Sequence, residues 1–218
     1  MKQNNIEEIV KGFYELSKPK HRYSSFDYCY NYFYTTEDLT EDIEKSCFEL
    51  AFYLASWGMF RGSSFILQKN AKYFEETINY INNLDKKLWN IDVDNYNNTN
   101  IKKLIEIYNE LEKLIVKGPN RSLTLVTKIM LGVFGFVPAY DKYFCDTFRE
   151  LSNGECGFRL FNKESLKIVK QFYDYNNNII DKLSREFFTN EFRTGNKTEI
   201  NYTKAKIVDM YGFTYSKK

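Results

Sequence analysis

Two short runs concentrate residue types that bind or transfer charge. In Trp57-Gly58-Met59-Phe60-Arg61-Gly62-Ser63-Ser64, two glycines bracket an arginine in apolar surroundings, and two hydroxyls follow. A guanidinium at a helix break can grip a carboxylate or phosphate with two parallel hydrogen bonds. Ser63 and Ser64, beside the free N–H groups of a helix start, would complete an anion pocket. The competing reading is structural: Arg61 pairs with a buried acid, and the serines cap. The second run holds Thr127-Lys128, Gly132, Gly135 and Pro138-Ala139-Tyr140-Asp141. A lysine in so apolar a stretch must reach out to solvent or pair. Asp141, after a Pro-fixed turn, is a natural helix cap. The functional reading puts Asp141 and Lys128 in catalytic positions and adds Tyr140 to the ligand contacts of Arg61, Ser63 and Ser64. It requires Asp141 to face a pocket that Lys128 or Arg61 also lines. The structural reading makes the same two residues a cap and an ion pair.

Other chemistries find little support. The single histidine, His21, lies in the basic run Lys18-Pro19-Lys20-His21-Arg22, where no partner is marked. That context suits a solvated loop or phosphate contacts better than general base catalysis. Lys18, Lys20, His21, Arg22 and Arg121 are the candidate phosphate contacts. Neither G-x-x-x-x-G-K-[ST] nor G-x-G-x-x-G occurs, and Asp92-Val93-Asp94 lacks the further oxygen ligands of a calcium loop. With one His and four Cys in no C-x-x-C spacing, no metal and no cofactor are expected. Cys29, Cys47, Cys145 and Cys156 read as reduced, buried thiols of a cytoplasmic protein.

The elements that must position these residues are helical. The chain of 218 residues is 43% hydrophobic and 28% charged, which excludes disorder, collagen and a coiled-coil rod. No run of about eighteen uncharged apolar residues occurs, so no membrane span is expected, and MKQNNIEEIV has no secretory h-region. Net charge is +2, with an acidic first fifty residues and a mildly basic remainder. That balance neither supports nor excludes a nucleic-acid partner. Apolar stripes at helical spacing run through Ile6–Leu16, Phe26–Phe33, Ile43–Trp57, Phe74–Leu84, Ile101–Ile115 and Leu166–Phe187. Ser24, Thr99, Ser122, Asp141 and Thr203 stand where caps are needed, and LTLVTKIMLGVFG is apolar on nearly every side, as a central helix is. Residues 85–99 and 189–201 read as polar surface loops. The expected fold is one all-α domain spanning 1–218, a compact globular body of about eight to ten helices.

The runs YLASWGMFRGSSFIL (53–67), LVTKIMLGVFGFVPAYDKYF (125–144) and AKIVDMYGF (205–213) resemble a group of bacterial helical proteins. That resemblance implies no activity. Gly118-Pro119-Asn120-Arg121-Ser122 before an apolar helix, then Val137-Pro138-Ala139-Tyr140-Asp141, is similar to the helix-hairpin-helix DNA glycosylases. That likeness implies a DNA-binding protein in which Asp141 assists base departure. The chain departs from that pattern. Leu-Pro-Gly-x-Gly is missing, and no lysine stands where a lyase would need one. Two expectations follow, and the residues leave open whether the protein is an enzyme. One is a non-enzymatic interaction protein binding a macromolecular partner, in bacterial defence or counter-defence, with self-association as a further assembly. Its 19 Phe and 18 Tyr suit an interface. The other is a DNA- or RNA-binding protein working through Asp141.

Overall fold

A computed structural model describes residues 1–62, 64–118, 120 and 122–216. The fold is all-α, with nine α-helices among the described residues and one two-stranded hairpin. In chain order the helices are α1 (Ile6–Leu16), α2 (Ser25–Thr35), α3 (Ile43–Ser56), α4 (Glu75–Asn82), α5 (Asn98–Ile115), α6 (Leu123–Phe134), α7 (Lys142–Leu151), α8 (Lys163–Glu186) and α9 (Lys204–Tyr215). No helix among the described residues is long and apolar enough to cross a membrane.

Two helices form the centre. Every residue of α6 from Leu125 to Phe134 is buried, as its all-round apolarity requires. It packs on α2, α3 and α5. Gly132 sets how closely α3 approaches, because a Cβ there would enter the ring of the fully buried Tyr53. The second central helix is α9, buried continuously from Ala205 to Phe213 and packed on α1, α7 and α8. Its sequence has no one-sided stripe because it has no solvent side.

Residues 85–99, expected as a surface loop, form two 3-10 turns at Lys86–Asn90 and Val93–Asn95, followed by the start of α5. Trp89, Ile91, Val93 and Tyr96 are buried there, and Trp89 Nε1 donates to the Val133 carbonyl at 3.0 Å. Apolar residues at irregular spacing anchor this segment without helical periodicity. The other expected loop, 189–201, contains most of an antiparallel hairpin, β1 (Phe188–Asn190) and β2 (Lys197–Asn201). Asp27 of α2 fastens it, accepting from Asn190 N at 2.9 Å and from Tyr202 Oη at 2.6 Å. Several caps also differ from expectation. Asn97, not Thr99, caps α5, and Asp42 caps α3. Ser24 and Ser122 turn their hydroxyls to the Lys18 carbonyl and the Glu112 carboxylate instead of capping. Asp141 and Thr203 cap α7 and α9 as expected.

Candidate functional site

The end of α3 builds one wall of the site. Gly58 adopts a left-handed φ of 75°. Its N–H donates to the Ala55 carbonyl, and the Met59 N–H donates to the Leu54 carbonyl, each at 2.9 Å. This 6→1, 5→2 pair is a Schellman motif, the stop that a glycine after an apolar helix signals. It turns the chain so that Arg61 folds back over Gly58. A Cβ at Gly58 would lie 2.7 Å from Arg61 Nε. Arg61 is exposed, and its guanidinium has no hydrogen bond or ion pair among the described residues.

Helix α6 and the turn after it build the opposite wall. Thr124 Oγ1 donates to the Tyr140 carbonyl, and Tyr140 N donates to Thr127 Oγ1, both at 2.9 Å. These hydroxyls satisfy the backbone of the Pro138-containing turn and deliver Asp141 to the start of α7. One Asp141 oxygen accepts from the Phe144 N–H at 3.1 Å, and the other accepts from Lys128 Nζ at 3.3 Å. The Lys128 side chain is 5% exposed and that of Asp141 15%. Lys128 Nζ also lies 4.7 Å from the centre of the Trp57 ring.

Between these walls is a cleft of about 400 Å³. Arg61, Lys128 and Asp141 all line it, with Arg22, Lys142 and Thr124. Its aromatic surface comes from Trp57, Tyr143 and Phe213. Trp57 stacks on Tyr23 at 5.3 Å, and Phe213 meets Trp57 and Tyr143 edge-on at 5.5 Å. Tyr143 is the accessible ring, 39% exposed. Four cations therefore face one carboxylate, and that carboxylate is already committed to Lys128. Arg22 and Lys142, like Arg61, are exposed and have no ion pair among the described residues.

The remaining candidates lie elsewhere. Ser64 does not line the cleft, and its N–H donates to the Arg61 carbonyl at 3.2 Å. Tyr140 is in the core, its ring stacked on Phe144 and its hydroxyl on Ser165, where burial pushes its pKa up. Lys18, Lys20 and His21 are exposed on the segment that leads to Arg22. His21 Nδ1 accepts from the Tyr23 N–H at 3.3 Å, which fixes the turn. Ser63 and Arg121 lie outside the described residues.

A second buried ion pair, absent from the sequence reading, stands behind the cleft. Lys206 Nζ is 2.8 Å from an Asp209 oxygen, and the other oxygen accepts from the Ala139 N–H at 3.0 Å. The ammonium lies 4.5 Å from the Phe26 ring centre and 5.3 Å from that of Trp57. Trp57 thus has two ammonium groups against its ring system, an arrangement the ring quadrupole favours. The available signal was Lys206 and Asp209 three apart, facing each other across one helical turn, in the otherwise apolar run AKIVDMYGF.

This geometry suits binding better than proton transfer. Both Asp141 oxygens accept hydrogen bonds from donors the fold supplies, so the carboxylate is committed to holding the turn and Lys128 in place. The cations without an ion pair among the described residues are two arginines and a lysine around an aromatic surface, a combination that recognises phosphate next to a planar ring. Comparisons with family models, with curated proteins and with solved structures match nothing, so function is read from this geometry.

Proposed function

We propose that the protein is a non-enzymatic binding protein whose cleft takes single-stranded nucleic acid. Phosphates lie against Arg22, Arg61 and Lys142, and a base stacks on Tyr143. The observation that carries this reading is a cleft lined by three cations with no ion pair among the described residues, Arg22 lying over the Tyr23 ring, and by one described acid, Asp141, already paired with Lys128. Lys18 and Lys20, exposed on the segment that leads to Arg22, add positive charge next to it. Sequence-tolerant binding of single strands needs such a track together with an accessible aromatic face. The other partner class, a protein, is supported at a different surface and is taken up below.

A labelled oligothymidylate titrated by fluorescence polarisation at two salt concentrations tests the proposal. Each phosphate contact to a single strand contributes a slope of about −0.7 in log affinity against log salt, so three contacts give a slope of about −2. Arg61→Ala is expected to flatten that slope by about 0.7. Tyr143→Ala is expected to weaken binding by about 1 kcal/mol or more without changing the slope. No binding at low salt, or binding indifferent to Arg22→Ala and Arg61→Ala, overturns it. A melting-point rise with free mononucleotides, abolished by Arg61→Ala and unaccompanied by oligonucleotide binding, would restrict the cleft to small phosphorylated ligands.

A further inference from the structure

A second groove lies outside the basic cleft, on the other side of the turn that follows α3. It measures about 900 Å³ and is lined by Phe48, Phe52 and Phe60, with Phe192 reaching in from the β1–β2 turn. Helix α3 carries two apolar stripes. Cys47, Leu50 and Leu54 face the core, while Phe48, Ala51, Phe52 and Ala55 face outward. The outward residues repeat at helical spacing, with small side chains beside large ones, which is the surface another helix packs into. Phe48, Phe52 and Phe192 are 56%, 65% and 78% exposed. Single exposed apolar residues are ordinary, whereas three phenylalanines on one groove mark an interaction surface.

The charges around the groove indicate what covers it. Asp42, Glu44 and Glu49 line it, against a single cation, Lys45, whose ammonium is drawn to the Tyr32 ring at 5.2 Å. Glu49 is half-buried and has neither a hydrogen bond nor an ion pair among the described residues. Burial raises its pKa by more than the charge of Lys45, one helical turn earlier, lowers it. A second copy of the chain docked through the same face would set these acids against their own images, which like charges oppose.

We propose that this groove docks an amphipathic helix of a partner protein, its apolar face on Phe48, Phe52 and Phe192 and its lysines or arginines against Glu49, Glu44 and Asp42. An apolar stripe at i, i+3, i+4 and i+7 matches the outward stripe of α3. The flanking cations give Glu49 the ion pair it lacks among the described residues. The acidic rim raises the encounter rate and selects against acidic helices.

The test uses the full chain and two labelled synthetic helices. One has leucines at that spacing and lysines elsewhere; the other replaces every lysine with glutamate. The cationic helix is expected to bind at least about tenfold more tightly than the acidic one. Phe52→Asp, at an exposed position, is expected to weaken it by about tenfold or more while leaving the melting point unchanged. Glu49→Gln is expected to cost a few-fold in affinity and to flatten the salt dependence. Cationic-helix binding that survives both substitutions, or equal binding of the two helices, overturns the proposal. A chain that is dimeric by light scattering, monomeric as Phe52→Asp and indifferent to either helix overturns it in favour of a second copy. Neither substitution touches Arg22, Arg61 or Tyr143, so the oligonucleotide titration fails or succeeds independently.

Discussion

At the scale of single residues, the Lys128–Asp141 pair is the point where stability and site meet. Asp141→Asn still presents an oxygen to the Phe144 N–H but leaves the Lys128 ammonium, on a side chain only 5% exposed, without the carboxylate it pairs with. Breaking a buried pair from one side costs about 3–5 kcal/mol, whereas replacing both partners with neutral groups is often near neutral. Asp141→Asn is therefore expected to lower the urea midpoint sharply. The double substitution Lys128→Met, Asp141→Asn is expected to recover most of the loss. Asp27 and Asp92 behave differently. Burial pushes each carboxyl up to about 6, outweighing the hydrogen bonds that favour ionisation. Between pH 4 and about 6 the native state then holds protons that the unfolded chain has released. Their contribution is full below the unfolded value near 3.8 and is lost as pH rises through 6. It amounts to at most about 3 kcal/mol for each carboxyl. The melting temperature should therefore fall from pH 4.5 to 7, and the carboxyl carbon of Asp27 should titrate near 6 by NMR. A flat melting temperature together with a titration near 4 would refute both.

At the scale of elements, two glycines separate positioning from packing. Gly58 holds the Schellman turn that brings Arg61 over the end of α3. Gly58→Ala forces a left-handed backbone at about 1–2 kcal/mol and displaces a flexible guanidinium. The expected outcome is a modest melting-point loss with a clear drop in oligonucleotide affinity. Gly132→Ala drives a methyl into the buried Tyr53 ring, which cannot step aside. Overpacking of that kind costs about 1–3 kcal/mol. Its expected outcome is the reverse, a marked stability loss with affinity retained in the folded fraction. Equal effects of the two substitutions on both readouts would mean that the α3–α6 contact and the Arg61 turn are not separable. The 85–99 segment makes a related point. Asp92 accepts from the N–H groups of Lys204 and Ala205 at 2.7 and 2.8 Å, so a segment that looked like a loop helps to cap the last helix.

At the scale of the whole molecule, the buried apolar residues form one continuous cluster, from Ile6 in α1 to Phe213 in α9. One cluster predicts one cooperative transition. Trp89, tilted against Phe134, and Trp57, lining the cleft, report from different places. Their fluorescence and the far-UV circular dichroism should therefore lose structure at the same urea concentration, and separated midpoints would reveal independent units. The sequence alone determined the helical class, the extent of most helices and the central place of α6, because apolar period and missing polar faces are local properties of a chain. It also marked Gly58 as a stop, Asp141 as a cap and Lys128 as a residue needing a partner. Only the tertiary structure decided that Arg61, Lys128 and Asp141 line one cleft, that Tyr140 and Ser64 do not, that Lys206 and Asp209 are sealed behind Trp57, and that Phe48 and Phe52 face outward. Two apolar stripes on one helix look alike in sequence. Which of them is buried depends on what packs against it from residues far along the chain.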